Sequence, residues 1–245
     1  MFTPLQCIAL RTVRSGESRA ILSAWSREAG RVSLGLADGK GREAARRRAL
    51  TMPLSLFEAV ADVRPGREIM NVRDLRPLGS GTAAPGAALT LVRLFLADVL
   101  DSLLRQGASD PALSDFLFSS IQRMPALTSP TAIANFHLIF LFRLARFLGI
   151  APDTTVPAGA DPDTLVFDLR DACFRTSLPA HPLFYTGPEA VAARLLGRLD
   201  FDTMRVARFS REERARILDA IIDYYHLHLS SASLTRSLEV LRQFS

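Results

Sequence analysis

Apolar positions along residues 1–80 recur at every second residue, in short runs broken by turn-forming residues. Gln6–Val13 is apolar and ends at Arg14-Ser15-Gly16, and Ser18–Ser26 forms a second run. After a turn at Glu28-Ala29-Gly30, Val32, Leu34 and Leu36 alternate with small or polar residues, the mark of a strand with one buried face. A basic, glycine-containing loop spans Asp38 to Arg48, and Pro53–Ala61 and Glu68–Leu75 supply two more strands around Arg64-Pro65-Gly66. Five short strands with no strong helix before residue 80 predict a small closed barrel of the OB type, although a sandwich half or an SH3-like barrel shares the pattern.

The period changes after Gly79-Ser80-Gly81-Thr82-Ala83-Ala84-Pro85-Gly86, a small, proline-containing stretch that reads as a linker. Leu89, Val92, Leu96, Val99, Leu103 and Leu104 then recur at three- and four-residue steps and predict an amphipathic helix. Asp110-Pro111 opens a second helix to about Met124, and Pro130 opens a third that stops near Gly149. Residues 151–164 read as a loop, with a short hairpin around Thr164–Arg175. Gly187-Pro188 starts a helix to about Leu199. The capping box Ser210-Arg211-Glu212-Glu213 starts one to about His228, and a last helix covers roughly Leu234 to Gln243. The expected fold is therefore α+β and multi-domain. A five-stranded OB-fold barrel over 1–80 precedes an all-α helical domain over 81–245, with a loop or short hairpin insertion around 151–186.

Composition narrows the class. Of 245 residues, 48% are hydrophobic and 22% charged, which suits a folded chain with a sizeable core. The two cysteines, Cys7 and Cys173, allow neither a disulfide framework nor a four-thiolate metal site, and suit a reducing cytoplasm. The N-terminus lacks the basic and apolar regions of a signal peptide. Asn135, His137, Arg143 and Arg146 interrupt the most apolar stretch, Ala132–Ile150, so it reads as a buried helix and no membrane is expected. The net charge of +5 is unevenly spread: residues 1–80 hold 14 Lys+Arg against 8 Asp+Glu, and the remainder 16 against 17. All the excess positive charge falls in the barrel segment, as expected of a nucleic-acid module.

Catalytic patterns are missing. Gly35-Leu36-Ala37-Asp38-Gly39-Lys40-Gly41 has three residues between its first two glycines, where a phosphate-binding P-loop needs four, and no Ser or Thr after the lysine. His226 and His228, two apart on a helix, point away from each other, and His137 on an apolar helix reads as an ordinary core or surface histidine. Glu212 and Glu213 read as first-turn helix charges. Lys40, Arg42, Arg46, Arg47 and Arg48 crowd nine residues, and with Arg11, Arg14, Arg19, Arg27 and Arg31 they form the candidate DNA-binding set. Arg64 and Arg67 add charge to the same segment. Trp25 and Phe57 fall within strand runs and read as core, so binding should depend on backbone charge and salt. A lone enzyme alternative rests on Asp168, Asp171 and His181; another is an RNA-binding barrel with a helical dimerisation domain.

Ile8-Ala9-Leu10-Arg11-Thr12, Gly16-Glu17-Ser18, Glu28-Ala29-Gly30-Arg31, Gly39-Lys40-Gly41-Arg42 and Leu50 to Leu54 together resemble the N-terminal domain of the RecO family. Tyr224-Tyr225-His226-Leu227-His228 and Ser237-Leu238-Glu239-Val240-Leu241 are similar to the ending of RecO chains from the Bacteroidetes group. The resemblance implies a cytoplasmic, nucleoid-associated protein that works without nucleotide hydrolysis, and the residues themselves lead to no expected catalytic residue, cofactor or metal. Many RecO chains carry a four-cysteine zinc site, whereas this one has only Cys173 in that region. It further implies binding to single- and double-stranded DNA, pairing with RecR, strand annealing, and help in loading RecA. For the acidic tail of the single-strand DNA-binding protein, the expected site is Arg143 and Arg146 beside Phe142 or Phe147. The alternative for these arginines is pairing with Asp98, Asp101 or Asp115.

Overall fold

The computed structural model describes residues 2–64, 66–79, 86–105, 107–161 and 164–229. Strands β1 (Phe2–Arg14), β2 (Arg19–Ser26), β3 (Gly30–Ala37), β4 (Leu56–Asp62) and β5 (Ile69–Pro77) close into a barrel of order β1-β2-β3-β5-β4. Neighbours are antiparallel except β3 and β5, which run parallel from Ser33↔Ile69 to Gly35↔Asn71. The period-two residues fill it: Leu22, Leu34 and Phe57 alternate with Ala9, Ala24 and Ala59, large against small around the interior. Bulges at Ala9/Arg11 and Val60/Ala61 bend β1 and β4/β5, so that one sheet can close on itself.

One expectation fails in this half. The stretch read as a basic loop holds a helix, α1, over Arg42–Leu50. Its Ala, Arg and Glu content favours helix, but only Ala44 is buried, so no apolar stripe marks it.

Two further helices complete the first of two compact units, which divide between Pro125 and Ala126. Helix α2 (Ala87–Leu103) packs on β1, covering the outer-facing Ile8 and Leu10, and α3 (Pro111–Arg123) starts at Asp110, whose carboxylate caps the Ala112 and Leu113 amides. Trp25 points outward from β2 under these helices. It is 1% exposed and donates Nε1–H to Ser114 Oγ at 3.0 Å. The contact is so close that a Cβ on Gly107 would lie 2.7 Å from the indole. On Gly30, whose φ is +68°, a Cβ would lie 2.5 Å from the Gly107 carbonyl.

The second unit is built on α4 (Pro130–Phe147), capped by Ser129. Phe136, Leu138, Ile139, Phe140, Leu141 and Leu144 on it are all but inaccessible. Around it stand α5 (Gly187–Arg198) and α6 (Arg211–His228), the latter opened by the expected Ser210/Glu213 capping box. The hairpin expected around Thr164–Arg175 is present as β6 (Val166–Asp168) and β7 (Cys173–Arg175), with a third strand, β8 (Phe184–Tyr185), that no periodicity announced. Buried polar groups are tied to backbone. Asn135 donates to the Met204 and Ala207 carbonyls, and the Tyr225 hydroxyl to Leu141 at 2.7 Å. His137 is buried. Desolvation, with the Arg214 charge adding to it, pulls its pKa down to about 3, so the ring is neutral at neutral pH. The helix expected at Leu234–Gln243 lies outside the described residues.

Candidate nucleic-acid interface

The barrel register orders its outer face into rows. The row Ile8–Trp25–Arg31 lies under α2 and α3. The next two, Arg11–Ser23–Ser33–Ile69 and Val13–Ile21–Gly35–Asn71, lead away from the helices, and Arg19 pairs with Ala37 beyond them. Small residues occupy the middle of this face, with Arg11 and Arg19 at its margins.

The β1–β2 turn, the end of β3 and α1 meet at this far end. The Asp38 amide donates to the Ser18 carbonyl at 2.8 Å. Its carboxylate takes Arg14 at 3.3 Å and Arg48 at 3.0 Å, and Arg48 also donates to the Gly39 carbonyl. Arg46 reaches the Leu75 carbonyl on β5 and pairs with Glu43 at 3.5 Å. One carboxylate thus gathers arginines from two elements, with Lys40 on the connecting segment and Arg42 at the start of α1. Arg11, Arg19, Lys40, Arg42 and Arg47 have no ion-pair partner among the described residues. All but the half-buried Arg47 are exposed.

Arg27 and Arg31 stand apart from this cluster. Arg31 pairs with Asp101 at 2.6 Å, both side chains largely buried, and Arg27 pairs with Asp115 while lying 4.3 Å over the Phe118 ring. These two arginines fasten the barrel to α2 and α3. Asp101 and Asp115 are the partners of Arg31 and Arg27. Arg64 and Arg67 clamp the buried Asp62.

In the second unit, Arg143 donates to the Leu199 carbonyl, Arg146 is exposed, and Phe142 and Phe147 are half-buried. Phe142 lines an apolar recess to which neither arginine contributes.

Asp168, Asp171 and His181 do converge, around Arg175. The wholly buried Asp168 accepts the Arg170 and Asp171 amides at 3.0 Å and Arg175 Nε at 2.7 Å, with His181 Nε2 at 3.6 Å. Burial works to raise its pKa. The Asp171 amide, the Arg175 guanidinium, the His181 ring and the Arg170 amide outweigh burial, and the carboxyl titrates below its ordinary range. A carboxylate held as an anion and saturated by donors braces the β6–β7–β8 sheet and is ill suited to proton exchange near neutral pH. Among the described residues, no group of three His, Cys, Asp or Glu side chains is arranged to hold a metal ion, and Cys173 alone cannot reproduce a four-cysteine zinc site. No described helix is long and apolar enough to cross a membrane.

A closed OB-type barrel with a cationic end, followed by a helical part, defines a class of two-part proteins built like nucleic-acid-binding modules. Residues 1–80 match the family described as Recombination protein O N terminal, and residues 88–237 match Recombination protein O C terminal. The chain is 32% identical over 237 residues to the DNA repair protein RecO of Phocaeicola vulgatus, covering 96% of each chain. It is 31% identical to that of Porphyromonas gingivalis strain W83 and 31% identical to that of Bacteroides fragilis, each over 239 residues and 96% of both chains. The chain belongs to the RecO family of DNA repair proteins.

Proposed function

We propose that this protein is a non-enzymatic recombination mediator that binds single- and double-stranded DNA through the far end of its barrel. In this role it anneals complementary strands and, with RecR, helps load RecA, in the nucleoid-associated cytoplasm and without cofactor or metal. The observation that supports it best is the gathering of Arg14 and Arg48 on Asp38, while Arg11, Arg19, Lys40, Arg42 and Arg47 have no ion-pair partner among the described residues. Cations placed this way neutralise phosphates and release counterions. Held against two strands at once, they lower the repulsion that opposes annealing. The small residues Ser23 and Ser33, in the row that starts at Arg11, let a sugar-phosphate backbone approach the sheet beside that arginine. Arg27 and Arg31, engaged with Asp115 and Asp101, fall outside this contact set.

The test compares one variant with the wild type by fluorescence anisotropy on single-stranded and duplex DNA across a salt series. Lys40→Ala/Arg42→Ala/Arg47→Ala is expected to weaken both and to lower the slope of log affinity against log salt by roughly 2 to 3. An unchanged affinity and slope in that folded variant sinks the assignment. For the acidic tail of the single-strand DNA-binding protein, Arg146 on the surface of α4 with Phe147 beside it is the expected contact, supported by Arg143 and Phe142. A labelled tail peptide that binds folded Arg143→Ala/Arg146→Ala as tightly as wild type removes that site.

A further inference from the structure

At the far end of the barrel one acidic side chain stands among the cations. The Asp38 amide donates to the Ser18 carbonyl of the β1–β2 turn at 2.8 Å, so backbone fixes its place just past β3. Its two carboxylate oxygens serve two different elements. Oδ2 takes Arg14 Nε of β1 at 3.3 Å, and Oδ1 takes Arg48 of α1 at 3.0 Å. The carboxylate side chain is 17% exposed, whereas Arg14 and Arg48 are 82% and 53% exposed. The acid is the covered partner, and the two guanidiniums face solvent.

By charge alone, an acid at this place opposes a phosphate ligand. It also adds little to the fold, because ion pairs with such exposed arginines contribute little to stability. Its effect is on geometry. Two guanidiniums brought to one point repel each other, and fixing two long side chains costs rotamer freedom. A carboxylate between them offsets both. Arg14 engages it through Nε, and Arg48 through one terminal nitrogen that also donates to the Gly39 carbonyl at 3.1 Å. Each arginine therefore keeps further N–H groups for a ligand. The planar fork of arginine can hold a phosphate through two such groups, which the single ammonium of lysine does not reproduce.

We propose that Asp38 is a positioning residue, holding Arg14 and Arg48 as a preformed clamp for one phosphate of a nucleic-acid backbone. The inference rests on the reading of the barrel end as the DNA site and adds an acid to its working parts. A bound phosphate is then the second anion of the group, two guanidiniums facing two negative charges. The arginines are ordered before DNA arrives, so association does not carry the cost of ordering them.

Asp38→Asn removes a negative charge from the cationic end, so charge counting and positioning predict opposite signs for DNA affinity. Fluorescence anisotropy on single-stranded and duplex DNA across a salt series reads that sign. Positioning requires the affinity to fall roughly threefold to tenfold and the salt slope to drop by about 1, as one phosphate contact is lost. Arg14→Lys/Arg48→Lys keeps the charge on two exposed side chains and should lose a similar factor. It carries the test if thermal melts show that Asp38→Asn does not fold. In an Arg14→Ala/Arg48→Ala background, Asp38→Asn should weaken binding no further, whereas general loosening of the barrel end would weaken both backgrounds alike. Three results each overturn the proposal: unchanged or tighter binding by folded Asp38→Asn, full affinity in the lysine pair, or equal weakening in both backgrounds. Lys40→Ala/Arg42→Ala/Arg47→Ala leaves the Asp38 group intact and separates the two levels. If that variant binds more weakly and Asp38→Asn does not, the positioning role fails while the DNA site stands; if neither binds more weakly, the site fails as well.

Discussion

The two compact units handle charge in different ways. In the first, arginines divide by position on one barrel. Those under the helices are neutralised by Asp101 and Asp115, while at the far end Arg14 and Arg48 share Asp38, Arg46 meets Glu43, and five further cations have no ion-pair partner among the described residues. In the second, the wholly buried Asp168 is held by backbone amides and Arg175, and Asn135 and Tyr225 bond to backbone. Net charge thus says little about where a ligand binds. What matters is which cations lack an internal partner. Burial makes a pair such as Arg31–Asp101 part of the scaffold, because an unpaired charge there would be costly.

The comparison breaks most readily at the contact that makes barrel and helices one unit. Trp25→Ala removes a buried indole and leaves Ser114 Oγ without its donor, with an expected loss of about 3–5 kcal/mol in urea unfolding. A loss below 1 kcal/mol would mean that the helices are held by something else. In the second unit, Asp168→Asn leaves Arg175 facing a neutral amide and forfeits a charge-assisted anchor of the three-stranded sheet. Because Arg175 is 41% exposed, the expected cost is discounted to about 2–3 kcal/mol, read by the same unfolding measurement.

A smaller effect follows from His137. Its folded pKa lies below the ordinary histidine value of about 6.5, so below that pH the unfolded chain takes up a proton that the native chain refuses. Stability is then present above pH 6.5 and lost as pH falls toward the folded value. Between pH 7 and pH 5 the loss should reach about 2 kcal/mol. His137→Gln, whatever its own cost, should remove that part of the slope, and a wild-type slope retained in the variant rejects the assignment. The smallest expected effect sharpens the contrast within the barrel. Arg27→Ala, which breaks a partly exposed pair, should cost about 1 kcal/mol of stability yet leave the salt slope of DNA binding unchanged. A slope reduced by one full contact would return Arg27 to the interface.

The elements that could be read from sequence are those whose signals are local. Asp110-Pro111, Ser129-Pro130 and Ser210 with Glu213 place helix starts because a cap is made within three residues. Val32, Leu34 and Leu36 place a strand because alternate side chains face alternate sides. Helix α1 was missed because it rests on a barrel already formed and buries only Ala44; its helix-favouring composition was the available clue. Strand β8, two residues long, exists only as a partner for β6.

The sequence by itself determined the barrel segment, the helical body, the excess of positive charge in the first third and the shortage of metal ligands, since each is a matter of composition or short-range period. Only the tertiary structure decided which arginines are free. Arg27 meets Asp115 across 88 residues, and Asp38 draws Arg14 and Arg48 together from two elements. The apolar recess of the second unit arises in the same way, from residues on α4, β6, β8, α5 and α6. Ion pairs and cavities form between elements distant in sequence, and the periodicity of any one segment holds no record of its neighbours.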